Sequence, residues 1–255
     1  MIKKLSKYSF LFQELVKRDF KKKYKRTVLG MFWSILSPLL TLAVMALVFS
    51  NFFGNTTEHY IIYLFSGNLL FTFYNDATTG GMRSLLANAS IFSKVDVPKY
   101  MFLLSRNVQA LINFGLTLIV YFIFVAANGI PFTWKFLLLI YPVVCIEILN
   151  IGVGMILSAL YVFFRDIEYL YSIFTMLLMY MSAIFYNVTG FPEKVQKLFY
   201  LNPVYSYISY FRKIVINGTV PSLQHNLLCG LYAVVFLGIG ALIYKKFNYK
   251  FLYYV

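Results

Sequence analysis

Residues 1–28 carry ten Lys and Arg, and the next 25 residues, 29–53, carry no charge at all. As a helix, that uncharged stretch reaches about 37 Å at roughly 1.5 Å per residue. A bilayer's hydrocarbon core is about 30 Å thick, so the stretch crosses it with some tilt. A cationic block ahead of such a span marks an integral membrane protein whose N-terminus is held on the cytosolic side.

Composition agrees. Hydrophobic residues make up 60% of the 255-residue chain and charged residues 13%, against about 25% charged in soluble domains. So much apolar surface needs lipid as its solvent. The net charge of +14 does not point to nucleic acid, because the cations flank apolar spans and build no soluble basic face. A cleaved signal peptide is also disfavoured: the basic region is long and the apolar run exceeds the roughly 7–15 residues of a signal core. Cys145 and Cys229 sit in separate apolar runs without a CxxC pattern or His neighbour. They read as small buried hydrophobes and suggest neither a metal nor a redox centre.

The hydropathy pattern predicts an all-α membrane protein with six transmembrane helices, at 29–53, 60–86, 101–127, 136–164, 167–186 and 227–244. With the N-terminus inside, 18 Lys and Arg fall on inner segments. Only Lys135, Lys194, Lys197, Arg212 and Lys213 fall outside. That asymmetry places both termini, including the 245–255 tail, in the cytosol. Segment 187–224 is too broken to span. Asn202-Pro203 divides it into two short amphipathic pieces, expected as re-entrant helices on the outer face.

Residues 5–26 read as an amphipathic interfacial helix. Leu11, Phe12, Leu15 and Val16 share one side; Lys17, Lys21 and Lys25 share the other; Asp19 interrupts the apolar side. Beside a membrane, such a helix attracts anionic groups. Lys17, Arg18, Lys21, Lys22, Lys25 and Arg26 are therefore candidates to meet a phosphate-bearing lipid headgroup, although setting topology accounts for them equally well.

Other residues stand out by chemistry. The polar inner loop 86–99 includes Leu86, Asn88 and Ser93, then Lys94, Val95, Asp96, Val97, Pro98 and Lys99, with Pro98 imposing an extended geometry before it. Arg165 and Asp166 are adjacent opposite charges at the inner end of the fourth span, where a stabilised turn is the simplest role, and a bridge to a neighbouring element or an Arg165 contact with phosphate the alternatives. Glu147 and Asp76 lie within spans, where an ionisable group is costly and belongs toward protein or water. A hydrogen bond from Glu147 to Asn113, Asn150 or another helix is the expected outcome, with proton coupling the alternative role. Aromatic residues form 20% of the chain; most belong to interfacial belts. Phe71, Phe73 and Tyr74, or Tyr180 and Tyr186, could offer stacking faces along a sugar path.

Four motifs in order resemble those of ABC-2 type polysaccharide export permeases. They are the basic run Glu14-Leu-Val-Lys-Arg-Asp-Phe20 followed by Tyr24-Lys-Arg-Thr-Val-Leu-Gly-Met-Phe-Trp33 and Leu36-Ser-Pro-Leu39; Lys94-Val-Asp-Val-Pro-Lys99; Leu157-Ser-Ala-Leu-Tyr-Val-Phe-Phe-Arg-Asp-Ile167; and Leu201-Asn-Pro-Val204 with Phe211-Arg212 and Gly218. Where the family often carries a proline, this chain has Ser182-Ala-Ile-Phe185.

The resemblance covers nearly the whole chain as one transmembrane domain of a bacterial or archaeal cytoplasmic membrane. It implies a homodimer with two copies of a separate ATPase subunit, moving a lipid-linked glycan such as O-antigen, capsule, teichoic acid or rhamnan on an undecaprenyl-diphosphate or similar carrier. It also implies that 86–99 docks on the ATPase, and that Asn202, Pro203 and Arg212 belong to a glycan path or gate. The chain has no GxxxxGK[ST] loop, so ATP and Mg are expected on the partner and no cofactor on this chain. Two other classes stay open: an ABC-2 permease for a drug or other small hydrophobic molecule, and a gradient-driven secondary transporter, which would call for internal repeats.

Overall fold

A computed structural model describes residues 8–25, 27–53, 59–95, 97–248, 250–252 and 254. Every regular element among them is helical. Helix α1 (Ser9–Tyr24) carries the basic run. Helix α2 (Trp33–Phe53) follows a 3-10 turn at Gly30–Phe32. Helix α3 is Tyr60–Arg83, and α4 (Ala89–Phe92) is a single turn after the 3-10 piece Leu86–Asn88. Then come α5 (Tyr100–Ala127), α6 (Ile140–Phe163) after the 3-10 stretch Trp134–Leu139, and α7 (Ile167–Met181). Two short helices, α8 (Glu193–Phe199) and α9 (Pro203–Val215), precede α10 (Leu223–Phe247).

Four of the expected spans hold by length and apolarity: those built on α2, α5, α6 and α10. The other two differ. Helix α3 is 24 residues long but too polar to qualify. It is the central helix, packed against α2, α5, α6, α7 and α9, and protein rather than lipid surrounds polar side chains such as Ser66, Asn68 and Thr78. Helix α7 has 15 residues, about 22 Å, short of the full core thickness. It stops at Met181, and Ala183 beyond it takes φ +48°, a left-handed conformation that ends a helix.

Close backbone approach holds the centre together. A β-carbon on Gly152 of α6 would lie 2.4 Å from the backbone carbon of Phe236 on α10. On another face of α6, one on Gly81 of α3 would lie 3.2 Å from the Cα of Gly154. Small residues let helices touch where lipid supplies little hydrophobic drive. The main apolar core surrounds α3, with Phe65, Tyr121, Ile146 and Phe211 fully buried.

A second core lies at the N-terminal end of α5. Leu15 of α1 joins Phe92, Phe102, Val162, Tyr244 and Phe251 there. The apolar side of α1 thus packs on the protein itself. Both cysteines are buried and free. The two short pieces expected around Asn202-Pro203 are present as α8 and α9.

Candidate functional site

The first turns of α2 and the middles of α3 and α5 enclose a groove of about 520 Å³. Its lining follows from helical spacing. On α3, Asn68, Thr72 and Asp76 recur every fourth residue and so share one face. On α5, Asn113 and Thr117 do the same, and Ser34, Ser37 and Thr41 answer from α2. Phe73 stacks on Phe114, ring centroids 4.5 Å apart, and Trp33 stands at one end.

Pro38 shapes this wall. It lacks an N–H, so the Ser34 carbonyl one turn back has no helical donor. Thr117 Oγ1 of α5 donates to that carbonyl at 3.5 Å, and Ser34 Oγ donates to Asn113 Oδ1 at 3.4 Å. Among the described residues that line the groove there is one carboxylate, Asp76, and no Lys or Arg.

Of the aromatic residues expected along a path, only Phe73 lines this groove. Tyr74 borders a separate apolar cavity of about 380 Å³ between α3, α6 and α7. Phe71 is buried in the core, and Tyr180 is exposed on α7. Tyr186 donates to the Tyr180 carbonyl at 2.8 Å and packs edge-on to Phe199.

On the basic side of the molecule, Asp19 is fully buried. Its carboxylate accepts from Ser105 Oγ at 3.1 Å and Arg18 Nη2 at 2.8 Å, and lies 3.4 Å from Arg106 Nε. Arg18 Nη2 also donates to Asn88 Oδ1 at 2.7 Å. Asp19 is therefore the joint between α1, α5 and the 86–88 turn, where the wheel alone shows an interruption. Arg18, expected at a lipid headgroup, is engaged in that joint. Lys17 pairs with Glu14 at 2.9 Å; Lys21 and Lys25 are exposed. The Lys22 side chain and Arg26 lie outside the described residues.

Segment 86–99 divides into anchor and tip. Asn88, Val97 and Lys99 are buried, Leu86 and Pro98 partly so. Lys99 Nζ donates to the Asn248 carbonyl and lies 5.7 Å from the ring centroids of Phe92 and Phe251. Ser93, Lys94 and Val95 stand exposed. Asp96 lies outside the described residues.

Nearby, the expected pair Arg165 and Asp166 is exposed, with the Arg165 guanidinium 5.8 Å from the Tyr161 ring. The bridge between helices is made instead by Glu168, which pairs with Arg83 of α3 and accepts from Tyr161 Oη at 2.5 Å. Both acids of that region look alike in the sequence; only the packing of α3 on α7 selects Glu168.

At the other end, Asn202 caps α9, its Oδ1 accepting from Val204 N at 2.9 Å, with Pro203 at the first helical position. Arg212 is buried. Its guanidinium donates to Ser66 Oγ and to the carbonyls of Tyr63, Ala183 and Ile184, at 2.9–3.2 Å, and stacks 3.3 Å from the Tyr63 ring centroid. None of the four acceptors is a carboxylate. Arg212, expected on a path or gate, is thus enclosed by the backbone that follows α7. In α6, Glu147 Oε2 and both amide atoms of Asn150 are buried without a hydrogen-bond partner among the described residues. The expected Glu147 bond to Asn150 is therefore not formed, and Asn113 is committed to the groove.

Residues 10–216 match the family described as ABC-2 type transporter. The chain is 30% identical over 251 residues to an O-antigen export system permease protein RfbA of Klebsiella pneumoniae, covering 95% of each chain. It is 24% identical over 255 residues to the protein of the same name from Myxococcus xanthus, covering 98% of this chain and 97% of that one. A helical bundle built on four apolar spans, matched over most of its length in this way, belongs to the ABC-2 type transporter family.

Proposed function

We propose that this chain is the permease subunit of an ATP-driven exporter that carries a lipid-linked polysaccharide across the cytoplasmic membrane. The observation that carries this reading is the end-to-end likeness to permeases named for O-antigen export. A chain without a P-loop takes its energy from another subunit. The working unit in this reading is a homodimer with two ATPase subunits, since two symmetric copies enclose a wider passage than one.

Six crossings complete the reading, α3 and α7 included, with both termini cytosolic. The exposed tip Ser93, Lys94 and Val95, set on its buried anchor, is the contact for the ATPase. The exposed Lys21 and Lys25 face the carrier's diphosphate. The apolar cavity beside Tyr74 favours a second reading, export of a small hydrophobic molecule.

Deleting the chain tests between them. Lipid-linked glycan should accumulate inside the cell while surface polysaccharide is lost, and the ATPase should co-purify with the tagged chain. Normal surface polysaccharide in the deletion strain refutes the reading. For topology, a cysteine at Gly190 should react with an impermeant reagent from outside and one at Lys94 should not.

A further inference from the structure

We propose that the apolar cavity between α3, α6 and α7 is a phospholipid site. It takes one acyl chain of a phosphatidylethanolamine whose headgroup lies on Arg165 and Asp166. The inference needs only that α6 spans the membrane, whatever the cargo of the permease.

Two facing stripes make the cavity. Leu149, Val153 and Leu160 line it from one face of α6, and Ile167, Phe174 and Leu178 from one face of α7. It measures about 380 Å³, and no charged residue is among the described residues that line it. The Tyr171 hydroxyl, on its wall, is already engaged with Thr78 Oγ1 at 2.6 Å. Apolar walls of this kind do not hold water. Leu160, Leu170 and Phe174 are exposed at its rim, so the cavity opens at the surface of the bundle. From Leu149 to Leu160 it runs about 16 Å along α6, at roughly 1.5 Å per residue. That is about half of a hydrocarbon core of roughly 30 Å, the depth of one leaflet and the reach of one acyl chain.

The charges at one end select the headgroup. The apolar span ends at Phe163 and α7 begins at Ile167, so Arg165 and Asp166 sit in the turn beside Leu160 and Ile167, at headgroup level. Both are exposed, and neither belongs to a salt bridge among the described residues. Glu168 and Arg83, by contrast, are paired with each other. A free cation followed by a free anion matches a headgroup with phosphate and ammonium in sequence. The primary ammonium of an ethanolamine can donate hydrogen bonds to the Asp166 carboxylate, which a choline cannot. A lipid with net negative charge would meet repulsion from Asp166, and an apolar helix of a second copy would leave both charges unmatched.

The full chain, stripped of lipid in detergent, is titrated by native mass spectrometry with dioleoyl phosphatidylethanolamine, phosphatidylcholine, phosphatidylglycerol and diacylglycerol. The expected result is one phosphatidylethanolamine per chain, bound more tightly than the other three. Arg165→Gln should weaken it about fivefold, the order of an exposed ion pair. Asp166→Asn should abolish the preference over phosphatidylglycerol. Val153→Phe, which fills the cavity, should prevent retention of any of the four.

Equal binding of the four lipids, undiminished binding to Arg165→Gln, or full retention by Val153→Phe overturns the proposal. So does a Val153→Phe chain that falls from dimer to monomer, which assigns the cavity to a second copy. An unchanged melting temperature confirms folding; should Val153→Phe fail that check, the two surface variants decide.

Discussion

A β-carbon on Gly67 would stand 2.6 Å from Nη2 of Arg212. The absent side chain of one residue is the space occupied by the charge of the other. That charge is enclosed, and it binds the backbone between 182 and 186 to α3. Tyr60 and Tyr63 reinforce the hold by donating to the Phe185 and Tyr186 carbonyls at 2.7 and 2.6 Å.

Gly67→Ala should therefore displace the guanidinium and cost about 1–3 kcal/mol, the range for overpacking a filled site. Thermal unfolding of the purified protein in detergent reads it as a lowered melting temperature. An equal melting temperature would show that Arg212 has room to shift.

Asp19→Asn removes the buried anion that holds Ser105, Arg18 and Arg106 together. Loss of charge-assisted hydrogen bonds costs about 1.5–3 kcal/mol, and here the cost falls on the seating of α1. Trypsin should cut at Lys21 or Lys25 faster than in the unaltered chain, with the span helices unaffected. Unchanged cleavage would place the anchor of α1 in its apolar face alone.

The exposed tip of segment 86–99 should crosslink to the ATPase. A cysteine at Lys94 is expected to form a disulfide or bismaleimide product with the partner in membranes. A cysteine at Val97, 5% exposed, is expected to give none. Equal products at both positions would reject the division into tip and anchor.

Replacing Lys21, Lys22 and Lys25 by Gln removes three cations, each worth about 1 kcal/mol near an anionic surface. Half-maximal stimulation of ATP hydrolysis by lipid-linked glycan should then need more than about tenfold higher glycan, a decade being about 1.4 kcal/mol. Stimulation at the ordinary concentration would leave these lysines a purely topological role.

Hydropathy and charge made the class, the N-terminal helix and the apolar spans legible, because those depend on runs of side chains within one segment. The groove was half legible. Asn68, Thr72 and Asp76 form a three-residue stripe at a spacing of four in the chain, but that Asn113 and Ser34 face it depends on how α2 and α5 pack. Asp19 looked like a blemish on an apolar face because its partners Ser105 and Arg106 are some 86 residues away. Arg212 was placed on a path by the resemblance alone; its acceptors are mostly backbone carbonyls, which no residue type announces. The early end of α7 is set by Ala183, whose positive φ has no glycine to signal it.

The glycine contacts on two faces of α6 have a mechanical consequence. Backbones that already touch at Gly152 and at Gly81–Gly154 cannot slide closer, and to part they must open a void. Helices α3, α6 and α10 therefore behave as one strut, carrying a displacement at one end to the other with little loss. Flexure is left to α2 and α7, whose outward faces, with Val44, Leu47, Ile173 and Leu177, are exposed among the described residues. In the proposed exporter, a stroke delivered by the ATPase at one end would tilt the strut as a whole and swing those two helices about it.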